Sequence, residues 1–101
     1  MSVDRVLSML GLATKAGKVK SGEFSVEKSV KSNRSYLVVV AEDSSDNTKK
    51  NFTDMCNYYK VPIMFYGNKE TLGRAIGKMH RASISVEDEG FSKSITKLKE
   101  E

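Results

Sequence analysis

At the start of the chain, apolar residues recur at the spacing of a helix. One face of the first predicted helix is marked by five of them: Val3, Val6, Leu7, Leu10 and Ala13. This helix should end near residues 16–17, where glycine follows alanine. A second, shorter helix is expected after Gly22, with Val26 and Val30 facing inward.

The pattern changes to that of strands in three later segments. Residues 36–41 are continuously apolar and rich in β-branched side chains, which is typical of a strand covered on both faces. Residues 61–66 predict another strand, with Pro62 tolerated near its start. In residues 82–86 serines alternate with apolar residues, which predicts a strand buried on one face and exposed on the other.

Three more helices separate and follow these strands. The third helix should be capped by Ser44, Ser45 or Asp46, and its buried stripe is Phe52, Met55, Cys56 and Tyr59. The fourth should run from a cap at Asn68 to Gly77, and the last is striped by Phe91, Ile95 and Leu98. With a short strand after the first helix, this alternation predicts an α/β fold: a mixed four-stranded sheet with helices on both faces.

Size and composition limit the class of protein. The 101 residues, 39% hydrophobic and 30% charged, predict one domain over residues 1–101 with a modest core. Cys56 is the only cysteine, which excludes an intramolecular disulfide and offers no metal-ligand spacing. The longest apolar run, residues 37–41, is too short to cross a membrane, and the start lacks the pattern of a signal peptide. We therefore expect a cytoplasmic protein without a membrane partner.

Positive charge is concentrated in two separate segments. The net charge is +4, and residues 1–34 and 60–84 each carry four more Lys and Arg than Asp and Glu. Residues 35–59 and 85–101 are each net negative by two. The distribution predicts a basic face formed on folding, whose natural partner is a polyanion, RNA above all.

Catalytic chemistry is not indicated. Residues 11–18 resemble a phosphate-binding P-loop, but they place five residues between the glycines instead of four, and Val19 stands where Ser or Thr would hold magnesium. His80 is the only histidine, Cys56 lies on an apolar stripe, and residues 42–43 are interpreted as loop and helix-start residues. We expect no enzyme activity, cofactor, metal site or small-molecule substrate.

Two groups of residues are candidates for binding an anion. Lys18, Lys20 and Lys28 surround a helix start at Gly22, where unpaired N–H groups attract negative charge. The alternative is that these lysines only solvate the surface, as most charge runs do.

The second group lies in a loop before the last strand: Lys78, Met79, His80 and Arg81. Loops on a rigid scaffold often carry binding contacts. Met79 is open to two interpretations, because it could pack against an unstacked base or fill the core.

In combination, several segments resemble the L7Ae/L30e family of ribosomal proteins, over about residues 3–90. The shared motifs occur in family order at residues 17–22 (Gly-Lys-Val-Lys-Ser-Gly), 36–43 (Tyr-Leu-Val-Val-Val-Ala-Glu-Asp), 59–62 (Tyr-Lys-Val-Pro) and 72–77 (Leu-Gly-Arg-Ala-Ile-Gly). Residues 45–50, 56–59 and 88–91 are similar to bacterial YlxQ-type members in particular.

This resemblance implies a three-layer α/β/α sandwich that docks on the sharp bend of kink-turn RNA. In the family, the helix start reads tandem sheared G·A pairs; the matching positions are Gly22, Glu23, Phe24, Ser25 and Lys28. Lys18 and Lys20 would contact phosphates, and the loop of residues 78–83 would cover the flipped-out bulge nucleotide. Structured RNA, with ribosomal RNA among the candidates, is thus the implied partner of a non-enzymatic protein.

The chain departs from the family pattern at the reading positions. Strong readers carry a polar pair such as Asn-Glu where this chain has Phe24-Ser25, and their covering loop is usually apolar instead of basic. Both changes move binding from base edges toward phosphates, so we expect weaker kink-turn selectivity. The alternative function is a protein-interaction module with a weakened RNA surface, in which an exposed Phe24 anchors a protein partner.

Overall fold

Helices and strands alternate along residues 4–101, the part of the chain that this computed structural model describes. The helices are α1 (Arg5–Lys15), α2 (Glu23–Lys31), α3 (Asp46–Tyr59), α4 (Lys69–Ala75) and α5 (Glu89–Glu100). The strands are β1 (Val19–Ser21), β2 (Leu37–Val40), β3 (Ile63–Phe65) and β4 (Ser83–Val86). The predicted order of elements is confirmed; Val3, expected on the first helix, lies outside the described residues.

The four strands form one mixed sheet in the order β1-β4-β2-β3. β4 is antiparallel to both of its neighbours, whereas β2 and β3 are parallel. The first strand therefore pairs with the last.

Alternate residues of β2 face two different cores. Leu37 and Val39 belong to a cluster with buried residues of α1, α4 and α5, while Val38 and Val40 pack against buried residues of α2 and α3. Both faces of the strand are thus covered, as its uninterrupted apolar sequence predicts. The result is the expected three-layer α/β/α sandwich.

The helix starts are fixed by short polar side chains. Ser45 caps α3 by accepting a hydrogen bond from the backbone N–H of Thr48 at 3.1 Å, which selects one of the three predicted caps. Asn68 and Thr71 form a reciprocal capping box at the start of α4. Asp88 caps α5 through the N–H of Phe91 at 2.8 Å.

The prediction for β4 was wrong in one respect, because the strand is buried on both faces. Its serines do not face solvent: Ser85 Oγ lies 2.7 Å from Ser29 Oγ and donates to Ser35 Oγ at 2.7 Å. The strand is central in the sheet and α2 covers the face that carries the serines, so Ser85 bonds to serines outside the strand instead of water, while Ser83 Oγ is buried without a hydrogen-bond partner in the described residues.

Within residues 4–101, no helix combines the length and the apolar character needed to cross a membrane.

Candidate nucleic-acid interface

The pairing of β1 with β4 places the two basic segments side by side. Ser21 lies opposite Ile84 in the register, and the backbone N–H of Gly22 donates to the carbonyl of Ser83 at 3.1 Å. Arg81 Nε donates to Ser21 Oγ at 3.2 Å, a contact between residues 60 positions apart. The loop before β4 therefore lies against the start of α2.

Gly22 makes the tight passage from β1 into α2. Its φ of 91° and ψ of 152° lie in a region that side chains disfavour, which explains why glycine stands there. Having no side chain, Gly22 cannot cap the helix, so N–H groups of the first turn of α2 remain available to an anion.

Five cations lie on the segments that meet here: Lys18 just before β1, Lys20 on β1, Lys28 in the last turn of α2, and Lys78 and Arg81 in the loop before β4. The four lysines are exposed and Arg81 is half-buried. Within residues 4–101, none of these five side chains forms an ion pair with a carboxylate at a distance of 4.0 Å or less. Their charge is therefore free to act on a ligand.

Arg81 is held in place more firmly than the lysines. Besides its bond to Ser21, its NH1 donates to the carbonyl of His80 at 2.9 Å, and its backbone N–H donates to the carbonyl of Lys69 at 3.0 Å. The guanidinium is thus oriented before any ligand arrives.

Two large apolar side chains stand out of this basic surface. Phe24 is 79% exposed on the first turn of α2, and Met79 is 81% exposed in the loop. Of the two interpretations of Met79, the structure selects exposure over a place in the core. Both side chains leave apolar area open to solvent next to the basic segments.

The loop rests directly on α4. Lys78 N–H donates to the carbonyl of Gly73 at 2.8 Å, and a Cβ atom added to Gly73 would lie 1.5 Å from the carbonyl oxygen of Met79. Only glycine allows the loop to approach the helix this closely.

Not every predicted residue joins the same surface. Glu23 is exposed and lines a cavity of about 250 Å³ on the side of α2 that faces α3, with Phe52 and Met55. Ser25 lines a different cavity, described next, and His80 is exposed in the loop.

A cavity of about 320 Å³ opens beside α2 toward the end of β4. Its lining residues include Lys20, Phe24, Lys28, Ser29, Arg34 and Glu87. The last three were missed in the sequence. Glu87 could not be found there because only the β1–β4 pairing brings this residue, which follows β4, to α2. Arg34 could have been identified from the sequence, because it is a cation of the first basic segment and directly follows the second predicted helix.

Glu87 is fixed in this cavity by its neighbours. Its backbone N–H donates to the carbonyl of Lys18 at 2.7 Å, and its Oε2 accepts a hydrogen bond from Ser29 Oγ at 2.6 Å. A carboxylate is therefore presented among cations without an ion pair to any of them in the described residues.

The residues considered for catalysis have structural surroundings. Cys56 is fully buried, and burial raises the pKa of its thiol to about 11, so it is not an activated nucleophile. Asp43 Oδ1 accepts a hydrogen bond from the backbone N–H of Lys69 at 2.9 Å and so supports the start of α4.

Comparison with known proteins gives consistent results. The sequence model described as "Ribosomal protein L7Ae/L30e/S12e/Gadd45 family" matches residues 4–96. The chain is 47% identical over 90 residues to "RNA-binding protein YlxQ" of Bacillus subtilis (strain 168), covering 89% of this chain and 90% of that protein.

Solved structures show the same fold. A protein of unknown function from Bacillus halodurans superposes with a TM-score of 0.94 at 40% identity, covering 98% of this chain and all of that one. The "Giardia lamblia 15.5kD RNA binding protein" superposes with a TM-score of 0.78 at 22% identity, covering 91% of this chain and 79% of that one.

Proposed function

Since this chain belongs to the ribosomal protein L7Ae/L30e/S12e/Gadd45 family, we propose that it is a non-enzymatic protein that binds kink-turn-like structured RNA. The observation that carries the proposal is the contact of Arg81 with Ser21, which joins two basic segments into one surface around an open helix start. The relative from Bacillus subtilis is named an RNA-binding protein, and RNA binding is carried over to this chain on that basis. A ribosome-associated RNA in the cytoplasm is the candidate partner.

Each part of the surface has a role in this proposal. Lys18, Lys20 and Lys28 contact phosphates close to the bend, together with N–H groups of α2. The helix start at residues 22–25 faces the G·A pairs, and the loop of residues 78–81 covers the bulge nucleotide.

The side chains of the helix start favour modest selectivity for the kink-turn. Phe24 offers no hydrogen bond to a guanine edge, and Ser25 offers one short hydroxyl. Most of the binding free energy would therefore come from phosphates, which all RNAs share.

The test is a titration against a kink-turn RNA and against the same RNA with its G·A pairs converted to Watson–Crick pairs. We expect tighter binding to the kink-turn. Replacing Lys20 and Lys28 together by alanine should weaken that binding by about 1–3 kcal/mol, since charge-assisted contacts are lost.

A matched control removes the same charge from the opposite side of the sheet. Lys97→Ala with Lys99→Ala changes two exposed lysines of α5, and it should leave affinity close to that of the unaltered protein. Equal affinity for the two RNAs would reject kink-turn recognition, and an unchanged affinity of the Lys20 and Lys28 double variant would reject this surface.

The exposure of Phe24 favours a second candidate function, a protein-interaction module on the same fold. An aromatic side chain that is 79% exposed is the kind of group that anchors protein interfaces. This function requires that the kink-turn bind no better than a mixed-sequence duplex, an outcome that the same titration would reveal.

A further inference from the structure

The cavity beside α2 combines three chemical features that a nucleotide needs. Phe24 supplies an aromatic side chain, Glu87 a carboxylate, and Lys20, Lys28 and Arg34 supply positive charge. Aromatic rings stack on unpaired bases, and cations bind phosphates. The cavity measures about 320 Å³ and is open to solvent.

The carboxylate is the feature that generic RNA binding does not explain. A negative charge beside phosphates is unfavourable unless it accepts hydrogen bonds from the ligand. Glu87 is held toward Ser29 by a hydrogen bond of 2.6 Å, and its backbone is tied to Lys18, so it cannot easily turn away.

The geometry of a carboxylate selects among bases. Its two oxygens accept about four hydrogen bonds, so both remain available when one accepts from Ser29 Oγ. Guanine presents two adjacent donors on its Watson–Crick edge, N1–H and N2–H. Adenine and cytosine present one donor beside an acceptor nitrogen, and uracil one donor between two carbonyl oxygens. Only guanine therefore matches both oxygens of a carboxylate.

We propose that this cavity binds one unpaired guanine nucleotide, whose base stacks on Phe24 and is read by Glu87. The cations at the rim hold its phosphates. This inference rests on the proposed RNA-binding function and narrows the RNA to one that exposes an unpaired guanine where it meets α2. Lysine contacts give affinity here, while the carboxylate gives the choice of base.

The experiment uses four RNA pentanucleotides, UUGUU, UUAUU, UUCUU and UUUUU, titrated into the full chain at low salt. They contain neither a duplex nor a kink-turn. We expect the dissociation constant for UUGUU to be at least about fivefold lower than for the other three, the lower end for a two-bond base contact. NMR shifts on binding should be largest at the amides of Phe24 and Glu87.

Two substitutions with the same charge change separate base reading from electrostatics. Glu87→Gln replaces one of the two acceptors by a donor, and it should abolish the preference for guanine while strengthening binding to the three RNAs that lack guanine. Glu27→Gln, also on the α2 side but paired with Lys31, should keep the preference.

Phe24→Ala should weaken binding to all four pentanucleotides about five- to a hundredfold, because stacking is lost.

The outcomes of these experiments test the guanine pocket separately from the proposed kink-turn binding. Equal affinity for the four pentanucleotides, no detectable binding, or a preference that survives in Glu87→Gln would overturn the guanine pocket. The kink-turn proposal is judged separately, by the kink-turn and its Watson–Crick counterpart. A preference for UUGUU without a preference for the kink-turn would support the pocket and reject kink-turn recognition.

Discussion

At the scale of single residues, Tyr66 and Asp4 connect α1 to the end of β3. Tyr66 OH donates to Asp4 Oδ2 at 2.7 Å, while Oδ1 of the same carboxylate accepts from the backbone N–H of Leu7 at 2.9 Å. Burial, together with the hydrogen bond to Asp4, raises the pKa of Tyr66 to about 12. One acidic side chain thus caps a helix and adds to the effect of burial in raising the pKa of a tyrosine.

This arrangement predicts a specific loss of stability at high pH. From about pH 10, the ordinary value, to about pH 12, Tyr66 ionises in the unfolded chain but stays protonated in the folded one. The unfolded state then binds fewer protons, so the free energy of unfolding falls as pH rises. Below about pH 10 the stabilisation is fully present.

Tyr66→Phe should therefore make the stability less sensitive to pH between 10 and 12, measured by urea unfolding at several pH values. Cys56, whose thiol pKa is also raised, contributes to both proteins, so the difference isolates Tyr66. Tyr58→Phe, on an exposed residue of α3, is the control and should retain the full pH dependence. Identical slopes in Tyr66→Phe and the original protein would contradict this account.

At the scale of elements, the short helix α4 supports the loop before β4 that carries Lys78 and Arg81. The close approach of Gly73 to Met79 fixes that loop without a side-chain contact. At an exposed position in a helix, replacing glycine by alanine stabilises the helix by about 1 kcal/mol. In Gly73→Ala the added Cβ would overlap the carbonyl oxygen of Met79, and relieving that overlap should cost about 1–3 kcal/mol of stability on balance.

The substitution should also weaken RNA binding, because the loop that carries Lys78 and Arg81 must move. Thermal unfolding and RNA titration measure the two effects. Gly90→Ala in α5 is the control: its Cβ would lie 3.2 Å from Asp88 Oδ2, the oxygen that caps the helix, and a shift of a few tenths of an ångström relieves that contact. A Gly73→Ala variant that is more stable and binds RNA normally would show that the loop does not depend on this contact.

The elements themselves could be predicted from the sequence because each leaves a local pattern. Apolar periodicity and caps such as Asn68 are read within a few residues. The exposure of β4 could not be read in this way. Ser83 and Ser85 have the alternation of a half-exposed strand, and only their position between β1 and β2, under α2, makes them buried.

At the scale of the whole molecule, the charge distribution predicts how RNA binding depends on salt. If Lys18, Lys20, Lys28, Lys78 and Arg81 each neutralise one phosphate, the logarithm of the association constant should fall with that of salt at a slope of about −3.5 to −4.5. The Lys20 and Lys28 double variant should reduce the slope by about 1.4–1.8. A slope near zero in the original protein would mean that phosphates contribute little.

Only part of the candidate site could be predicted from the sequence. Each basic segment and the glycine between Ser21 and Glu23 are visible in the sequence, and the family resemblance puts them on one surface. The cavity with Arg34 and Glu87 could not be found, because it exists only where residues far apart in the chain meet across β1 and β4. Phe24 could be picked out by its position, but not its exposure.

The pairing of β1 with β4 also has a consequence for how the protein is made. Synthesis delivers the lysines before and within α2 early, but their partner strand leaves the ribosomal exit tunnel some 60 residues later. Until then a nascent chain carries half of a binding surface and an unpaired strand edge. Affinity for RNA should thus arise abruptly once β4 has left the tunnel and the sheet closes.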